Sequence, residues 1–471
     1  AVRWKGFSID IPALKKLRVA AVEKMSRLTF NFNSVPVCRK YITQAMSTLE
    51  IEAMKVDGKI STKSIILETI AKWKISEVCS DCGGMGCGKC NEGLFESDEQ
   101  HPAAKRCSEI LEARRAAKRI EIFDKLLLAG RFHASLRVIG ARSGRMSGGD
   151  GLNPQGINHS TEVRECFTFV DNGETFCGGD FDGFEVTIMI VAYKDPRLEA
   201  DYMSVKKLYA IAGEMFFPGK SYDDIMASKG LPNELDLYDR SKKGTLAIFY
   251  GGEGFTLASR VGVEEDIGDE ALHRWLKRYP DWAAERKKIH GRFCSMQQPG
   301  GLGTKVEWHD PDDYIESLFG FRRYFTLENM ICKALFDLAE NPPRHWLKVQ
   351  TRVMRRDRMQ TASGAVRTAL FAASFAIQGA NMRSAANHVI QSSGSTLTKK
   401  LQRNLWGVQP CGLHRWLIRP VNIHDEVDAA VANEAVEKTR EIANQTVEEF
   451  RKTIPLMAME WKTNMQTWAD K

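Results

Sequence analysis

Two stretches of the chain share one pattern: a short apolar run, an acidic break and a second apolar run. In the first, Thr175-Phe176-Cys177 leads into Gly179-Asp180-Phe181-Asp182-Gly183 and then an apolar run through Ile188 to Ala192. In the second, Val421-Asn422-Ile423 and Val427-Asp428-Ala429-Ala430-Val431 flank His424-Asp425-Glu426. Short apolar runs broken by turn formers predict strands, so the second stretch predicts a hairpin with two carboxylates at its tip. A lone acid at a strand end is usually a solvated turn residue. Two such acids brought together repel unless divalent cations lie between them. Carboxylates beside glycines are a common way to present oxygen ligands to a hard metal.

Around these stretches the pattern is mainly helical. Gly6 to Leu17 reads as a short strand and a helix with Pro12 in its first turn. Arg18 to Gly130 and Leu198 to Asn341 read as helical regions. A helix from Ser108 to Leu128 places Arg114, Arg115, Lys118 and Arg119 opposite Ile110, Ala117, Ile120 and Phe123. That basic face suits phosphate contact or is simply solvated. A second helix, Asp239 to Tyr250, is stopped by Gly251-Gly252 and puts Lys242, Leu246, Phe249 and Tyr250 on one face. Its cations, Arg240, Lys242 and Lys243, lie at the end with unpaired amide hydrogens, and an aromatic ring lies at the other. This is a platform for a polyphosphate and a base, or an amphipathic helix with a basic start. Gly244 costs about 1 kcal/mol there relative to Ala and suits a hinge. A basic turn, Ser317 to Tyr324, carries Arg322 and Arg323. A basic stretch from Arg344 to Arg367, an apolar helix from Thr368 to Ile377 ending at Gln378, and a helix from Glu434 to Arg451 complete the pattern. The loop Ala141 to Ser147 presents Arg145 and is followed by Asn153-Pro154-Gln155.

Composition narrows the class. At 471 residues and 43% hydrophobic, the chain has core enough for two to four domains or subdomains. Its 67 Lys and Arg against 60 Asp and Glu permit a nucleic-acid partner without demanding one. No apolar run reaches a membrane span and no signal peptide opens the chain, so no membrane partner and a cytoplasmic setting are expected. The start at Ala1 leaves room for a removed upstream segment. Of eleven cysteines, Cys79, Cys82, Cys87 and Cys90 form two CxxC pairs among glycines, and the rest are scattered among apolar neighbours, which fits a reducing compartment. The two pairs match a structural zinc held by four thiolates; a redox pair and iron–sulfur ligation are the alternatives. The spacing locally resembles zinc modules of DnaJ-type co-chaperones.

With these pieces in order, the chain resembles family A DNA polymerases, the family of DNA polymerase I. The acidic stretches correspond to that family's first and third motifs and the Lys242–Tyr250 helix to its second. Gly144-Arg145, Asn153-Pro154-Gln155, Leu318 to Arg323 and Gln378-Gly379 also fall in family order. The resemblance implies an α+β right-hand fold: an antiparallel-sheet palm (1–18, 131–197 and 346–471), helical fingers (198–345) and a helical thumb (19–130) carrying the zinc knuckle (79–90). It implies no exonuclease domain in this chain.

Carried over residue by residue, Asp180 and Asp425 hold two magnesium ions with the Phe181 carbonyl, and Glu426 supports them. Lys242 neutralises the leaving group. Glu185 lies under the sugar and rejects a 2′-hydroxyl, and Tyr250 stacks near the templating base. Arg145, Gln155, Gln378 and His424 touch the nascent pair; Asn153, Arg322, Arg323, Arg114, Arg115 and Lys118 join the DNA contacts. Tyr238, Leu208 and Leu246 stand where the family carries Arg, His and Phe or Tyr. The triphosphate is therefore expected on a shifted set: Lys206 or Lys207, Arg240, Lys242 and Lys243.

The implied partners are primer-template DNA and deoxynucleoside triphosphates, with a monomeric enzyme and room for an accessory processivity factor. The knuckle and these departures point to a phage-type replicative enzyme in a host cytoplasm. The alternatives are a single-subunit RNA polymerase relative, which Glu185 opposes, and a silent nucleic-acid-binding scaffold, which the retained acids oppose.

Overall fold

The structure, a computed structural model, describes residues 2–470 except 57, 79–93, 150–151, 158–159, 232–234, 302, 348–351, 356–357 and 411–414. The chain divides into two compact units. Ala1–Ser135, Gly148–Phe176 and Asn464–Lys471 form the first; Leu136–Ser147 and Cys177–Thr463 form the second.

In the first unit, Asp10 caps helix α1 (Ile11–Ser26) by accepting from the Ala13 N–H at 2.9 Å, and Pro12 sits where a missing N–H costs nothing. The expected leading strand is a single bridge: Phe7 and Phe132 exchange backbone hydrogen bonds at 2.9 and 3.0 Å. Strands β1 (Lys74–Val78) and β2 (Leu94–Gln100) pair antiparallel. The Cys79, Cys82, Cys87, Cys90 knuckle falls between them, outside the described residues. Helix α2 (Pro102–Ala129) starts a turn and a half earlier than its periodicity predicts, because His101 caps it and Pro102 opens it. Gly130, at φ +66°, ends it. The rings of Phe7, Phe132, Phe167, Phe169, Phe176 and Trp468 form an aromatic core, with Phe169 and Phe176 stacked at 4.5 Å.

In the second unit, β3 (Glu174–Asp182) runs into α3 (Phe184–Tyr193). Helices α4 (Pro196–Met203), α5 (Leu208–Phe216), α6 (Leu237–Phe249), α7 (Gly254–Val261), α8 (Glu265–Arg278) and α9 (Pro280–Arg292) follow. Gly244 of α6 is a packing glycine rather than a hinge: a Cβ there would lie 2.4 Å from Val261 and 3.0 Å from Leu257.

Next come the short pairs β4 (Met296–Gln297) with β5 (Glu307–Trp308) and β6 (Tyr314–Glu316) with β7 (Arg322–Tyr324), then α10 (Thr326–Glu340). Strands β8 (Arg352–Arg355) and β9 (Arg358–Thr361) form a hairpin ahead of α11 (Ala362–Trp406). The apolar helix expected over 368–377 is one part of this 45-residue helix, about 67 Å long at 1.5 Å per residue. Helix α10 packs along its first half around Met296, Val306, Cys332 and Phe336, a core separate from the main one.

Strands β10 (Ile418–Ile423) and β11 (Glu426–Ala432) form the predicted hairpin, α12 (Val436–Arg451) follows, and β12 (Ala458–Met465) completes a four-stranded sheet in the order β10-β11-β3-β12. Every residue of β10 and β11 is buried, the polar Arg419, Asn422, Glu426 and Asp428 included. No helix among the described residues is long and apolar enough to cross a membrane.

Candidate functional site

The acidic site grows from the end of β3. Asp180 is exposed near that end, while Phe181 is buried and stacks on Phe184 at 4.6 Å. Gly183 takes φ +52°, and a Cβ there would lie 2.5 Å from the Tyr202 hydroxyl, so only glycine makes this turn. The turn sets Glu185 in the first turn of α3. Strand β11 neighbours β3, and the hairpin tip that precedes it carries His424 and Asp425. The charge of Asp425 acts on Glu185. The tip therefore lies at the end of the sheet where β3 runs into α3.

His424 adopts φ +61°, and the tip is fixed by Asn422. This buried amide donates to the carbonyls of His424 and Glu426, each at 3.0 Å. Sequence reading missed Asn422; its signal is a polar residue between apolar Val421 and Ile423, just ahead of the acidic break. Among the described residues, no group of three or more His, Cys, Asp or Glu is placed to hold a metal. The expected magnesium set asks for two carboxylates and a carbonyl, all hard oxygen donors.

Glu185 is the centre of a polar cluster. Its Oε1 accepts from Arg145 at 3.2 Å and from the Tyr250 hydroxyl. Burial pushes its pKa above the usual carboxylate range and Asp425 adds to the push, while Arg145 and Lys242 oppose it. Tyr209 of α5 is raised too, by burial and then by Glu185 and Asp425 among its neighbours. Arg145 is held by its loop: Ser395 and Lys399 of α11 donate to the carbonyls of Ser143 and Gly144. Gly144, at φ +77°, lies against Phe321. Ser395 and Lys399 position Arg145, and their signal is polar spacing on an otherwise buried helix face.

The cations divide into two kinds. Lys242 is exposed in the second turn of α6, which starts at Leu237, two residues before the expected Asp239, and Lys243 pairs with Asp239 at 2.6 Å. Arg240, expected on the triphosphate, instead donates to the carbonyls of Val261 and Gly262 at 2.6 and 3.0 Å and lies over Phe217. It caps the C-terminal end of α7. Lys206 lies over the Tyr222 ring at 4.8 Å, and the Lys207 N–H donates to the Tyr222 hydroxyl. The expected shared face of α6 splits: Leu246 and Tyr250 are half-buried, whereas Phe249 is buried among Trp275 and Trp282.

Several of the other expected DNA contacts have partners within the protein. Arg114 donates to the carbonyls of Phe32 and Thr62 at 3.0 and 2.8 Å, and Arg115 pairs with Glu68 at 3.2 Å. Lys118 is exposed. Asn153 accepts from the Gln155 N–H at 3.0 Å in a turn of the first unit. Arg322 pairs with Glu316, and Arg323 lies over Phe325 at 4.8 Å.

Gln378 is buried: it accepts from the Met296 N–H at 2.6 Å and donates to the Met296 carbonyl at 3.2 Å, clamping β4 to α11. Arg383 of α11 lies beside the end of α6, and Asn387 and Gln391 follow it along α11 at i+4 spacing. The Arg383 backbone backs Gly251, where an added Cβ would lie 3.4 Å away.

The family described as DNA polymerase family A matches residues 88–470. A DNA polymerase I of Chloroflexus aurantiacus is 24% identical over 206 residues, which is 41% of this chain and 18% of that protein. The chain thus matches less than a fifth of that curated relative's length. Among solved structures, the POL domain of Pol1 from M. smegmatis, in complex with DNA primer-template and dNTP, superposes with a TM-score of 0.61 at 16% identity, covering 98% of this chain and 67% of that one. At that identity the likeness establishes the fold.

Proposed function

The chain belongs to DNA polymerase family A, and from that membership we propose that it adds deoxynucleotides to a primer 3′ end on a DNA template. The observation that carries this reading is the placement of Asp425, at a hairpin tip beside the strand of Asp180 and close enough to act on Glu185. In this reading the sheet is the palm, the helices from α4 to α9 belong to the fingers, and the helices of residues 19–130 make the thumb.

Asp180, Asp425 and the Phe181 carbonyl would hold magnesium, which when bound lowers the pKa of the primer hydroxyl and neutralises the triphosphate. Glu426, buried at the start of β11, backs Asp425. Lys242, exposed in the second turn of α6, meets the phosphates and stabilises the leaving group. Lys206, Lys207 and Lys243 supply further positive charge, and Leu246 offers an apolar surface to the base. Tyr250 and Arg145 fix the Glu185 carboxyl beneath the sugar, where a 2′-hydroxyl has no room. Arg383, Asn387 and Gln391 replace Gln378 as contacts of the nascent pair.

The test is primer extension with dNTPs and with NTPs, comparing the chain with Asp425→Ala. Extension that persists in the variant removes the mechanism, and preference for NTPs reverses the assignment toward an RNA polymerase relative. A replicative, phage-like role in a host cytoplasm extends the same reading. The four-cysteine knuckle is proposed to bind one zinc per chain; metal analysis finding none, or iron, overturns that assignment.

A further inference from the structure

Tyr238, Lys242, Leu246 and the cap residue Tyr250 follow one another along α6 at i+4 spacing, in a stripe that winds slowly round the helix. Tyr250, at one end of the stripe, donates to Glu185. Tyr238, at the other, stands about 18 Å away at 1.5 Å per residue. Tyr209 of α5 links Tyr238 back toward the acids. The two rings meet edge-on with centroids 6.0 Å apart, and Tyr209 lies in the field of both Glu185 and Asp425. The stripe therefore runs from the acidic site, past Lys242, to an aromatic pair.

A turn after the short helix Tyr222–Ala227 is fastened to that far end. The Leu237 N–H donates to the Ser228 hydroxyl, and the Gly230 N–H to the Asp236 carboxylate, each at 2.9 Å. Lys229 stands between these anchors, exposed, with its ammonium 5.0 Å from the centroid of the Tyr238 ring. A lysine side chain has much rotamer freedom to lose on binding. Anchoring its backbone and laying its ammonium on a ring removes part of that cost in advance. The acids at this end are already engaged: Asp236 accepts from the Gly230 and Asp239 amides at 2.9 and 2.8 Å, and Asp239 pairs with Lys243 at 2.6 Å. The Leu237 and Asp239 amide hydrogens are engaged too, so an anion here is met chiefly by side-chain cations.

Resting on the polymerase reading, we infer that Lys229, set in place by the Tyr238 ring, holds the terminal phosphate of the incoming deoxynucleoside triphosphate. Lys242 stands one turn nearer the acids and serves the phosphates close to the reacting bond. Lys229 serves the one farthest from it. Tyr238 is a positioning residue, and Tyr209 braces its ring. A ring fixes an ammonium without neutralising it, whereas a carboxylate in the same place would cancel the charge that the phosphate needs.

The test uses the full chain with magnesium and a primer-template whose primer ends in a dideoxynucleotide, so that no bond forms. Fluorescence titration gives the dissociation constants of the complementary dNTP and of the matching dNDP. Lys229→Gln should weaken dNTP binding about tenfold and leave dNDP binding within about twofold. On a primer with a 3′-hydroxyl, the same variant should raise KM about tenfold and keep kcat within about twofold. Lys229→Arg, which keeps the charge, and Tyr238→Phe, which keeps the ring, should retain dNTP affinity. Tyr238→Leu should lose most of it, and Lys229→Gln combined with Tyr238→Leu should bind no more weakly than Lys229→Gln alone. Unchanged dNTP affinity in Lys229→Gln overturns the inference. So does equal loss on dNTP and dNDP, which places the lysine off the terminal phosphate, and so do additive losses in the double variant, which show that Tyr238 does not act through Lys229. A wild-type chain that binds dNTP without extending a primer loses the polymerase reading, while the comparison of dNTP with dNDP still decides the role of Lys229.

Discussion

Two carboxylates, one in each unit, have similar partners and opposite fates. Asp171 in the first unit accepts both guanidinium nitrogens of Arg131 at 2.9 and 3.1 Å and the Ser8 hydroxyl at 2.6 Å, and pairs with Lys5 at 3.1 Å. Burial works against its charge, yet these partners hold its pKa far below the usual carboxylate range. Glu185 in the second unit also has an arginine and a hydroxyl, but only one arginine nitrogen reaches it, Asp425 repels it, and it is more deeply buried. Its pKa goes up. An acid with saturated partners is a fold element. An acid left under-compensated beside a second acid stores electrostatic stress that an incoming cation or substrate relieves, which is how functional carboxylates are commonly distinguished from structural ones.

The contrast is sharpened most by removing the second acid. Asp425→Ala should reduce extension by at least about 10³-fold while primer-template affinity stays near wild type, measured by single-turnover extension and equilibrium binding. Glu185→Ala, smaller in effect, should relax discrimination against ribonucleotides by about 10²-fold in the ratio of kcat/KM for dNTP and NTP. Asp171→Asn should leave that ratio unchanged and cost about 2 kcal/mol in denaturant unfolding.

The two acids should also part in their pH behaviour. Asp171, depressed when folded, gives stability that is present above its unfolded pKa and lost as pH falls below that value. Glu185, raised when folded, is easiest to accommodate in acid, and its contribution worsens as pH rises from its unfolded value through its folded one. Glu185→Gln should therefore flatten the neutral side of a stability–pH profile and Asp171→Asn the acid side. A common slope change for both variants would break the comparison. The smallest effect is expected at Gln378→Ala: about 1–2 kcal/mol of stability lost from the unpaired Met296 backbone, with KM for dNTP unchanged.

The two acids were legible because one lies near the end of a strand and the other in a hairpin turn, and both patterns are local: the β10–β11 hairpin and the end of β3 need only neighbours in sequence to be read. The helices were legible too, with ends shifted by caps such as His101 at α2. What failed was the assignment of side chains whose partners are distant. Arg240, Arg114 and Gln378 look like ligand-binding residues until the carbonyls of Val261, Thr62 and Met296 are brought to them. Gly244 looks like a hinge until Val261 is packed against it.

The chain by itself determined which residues form strands and helices, where carboxylates and cations concentrate, and to which family the order of motifs is similar. Only the tertiary structure decided which polar groups are consumed by backbone carbonyls, and that Glu185, Tyr250, Arg145 and Asp425 act on one another. The reason is physical: periodicity tells which face of an element is buried, but hydrogen-bond satisfaction and electrostatic field depend on what another element places opposite that face.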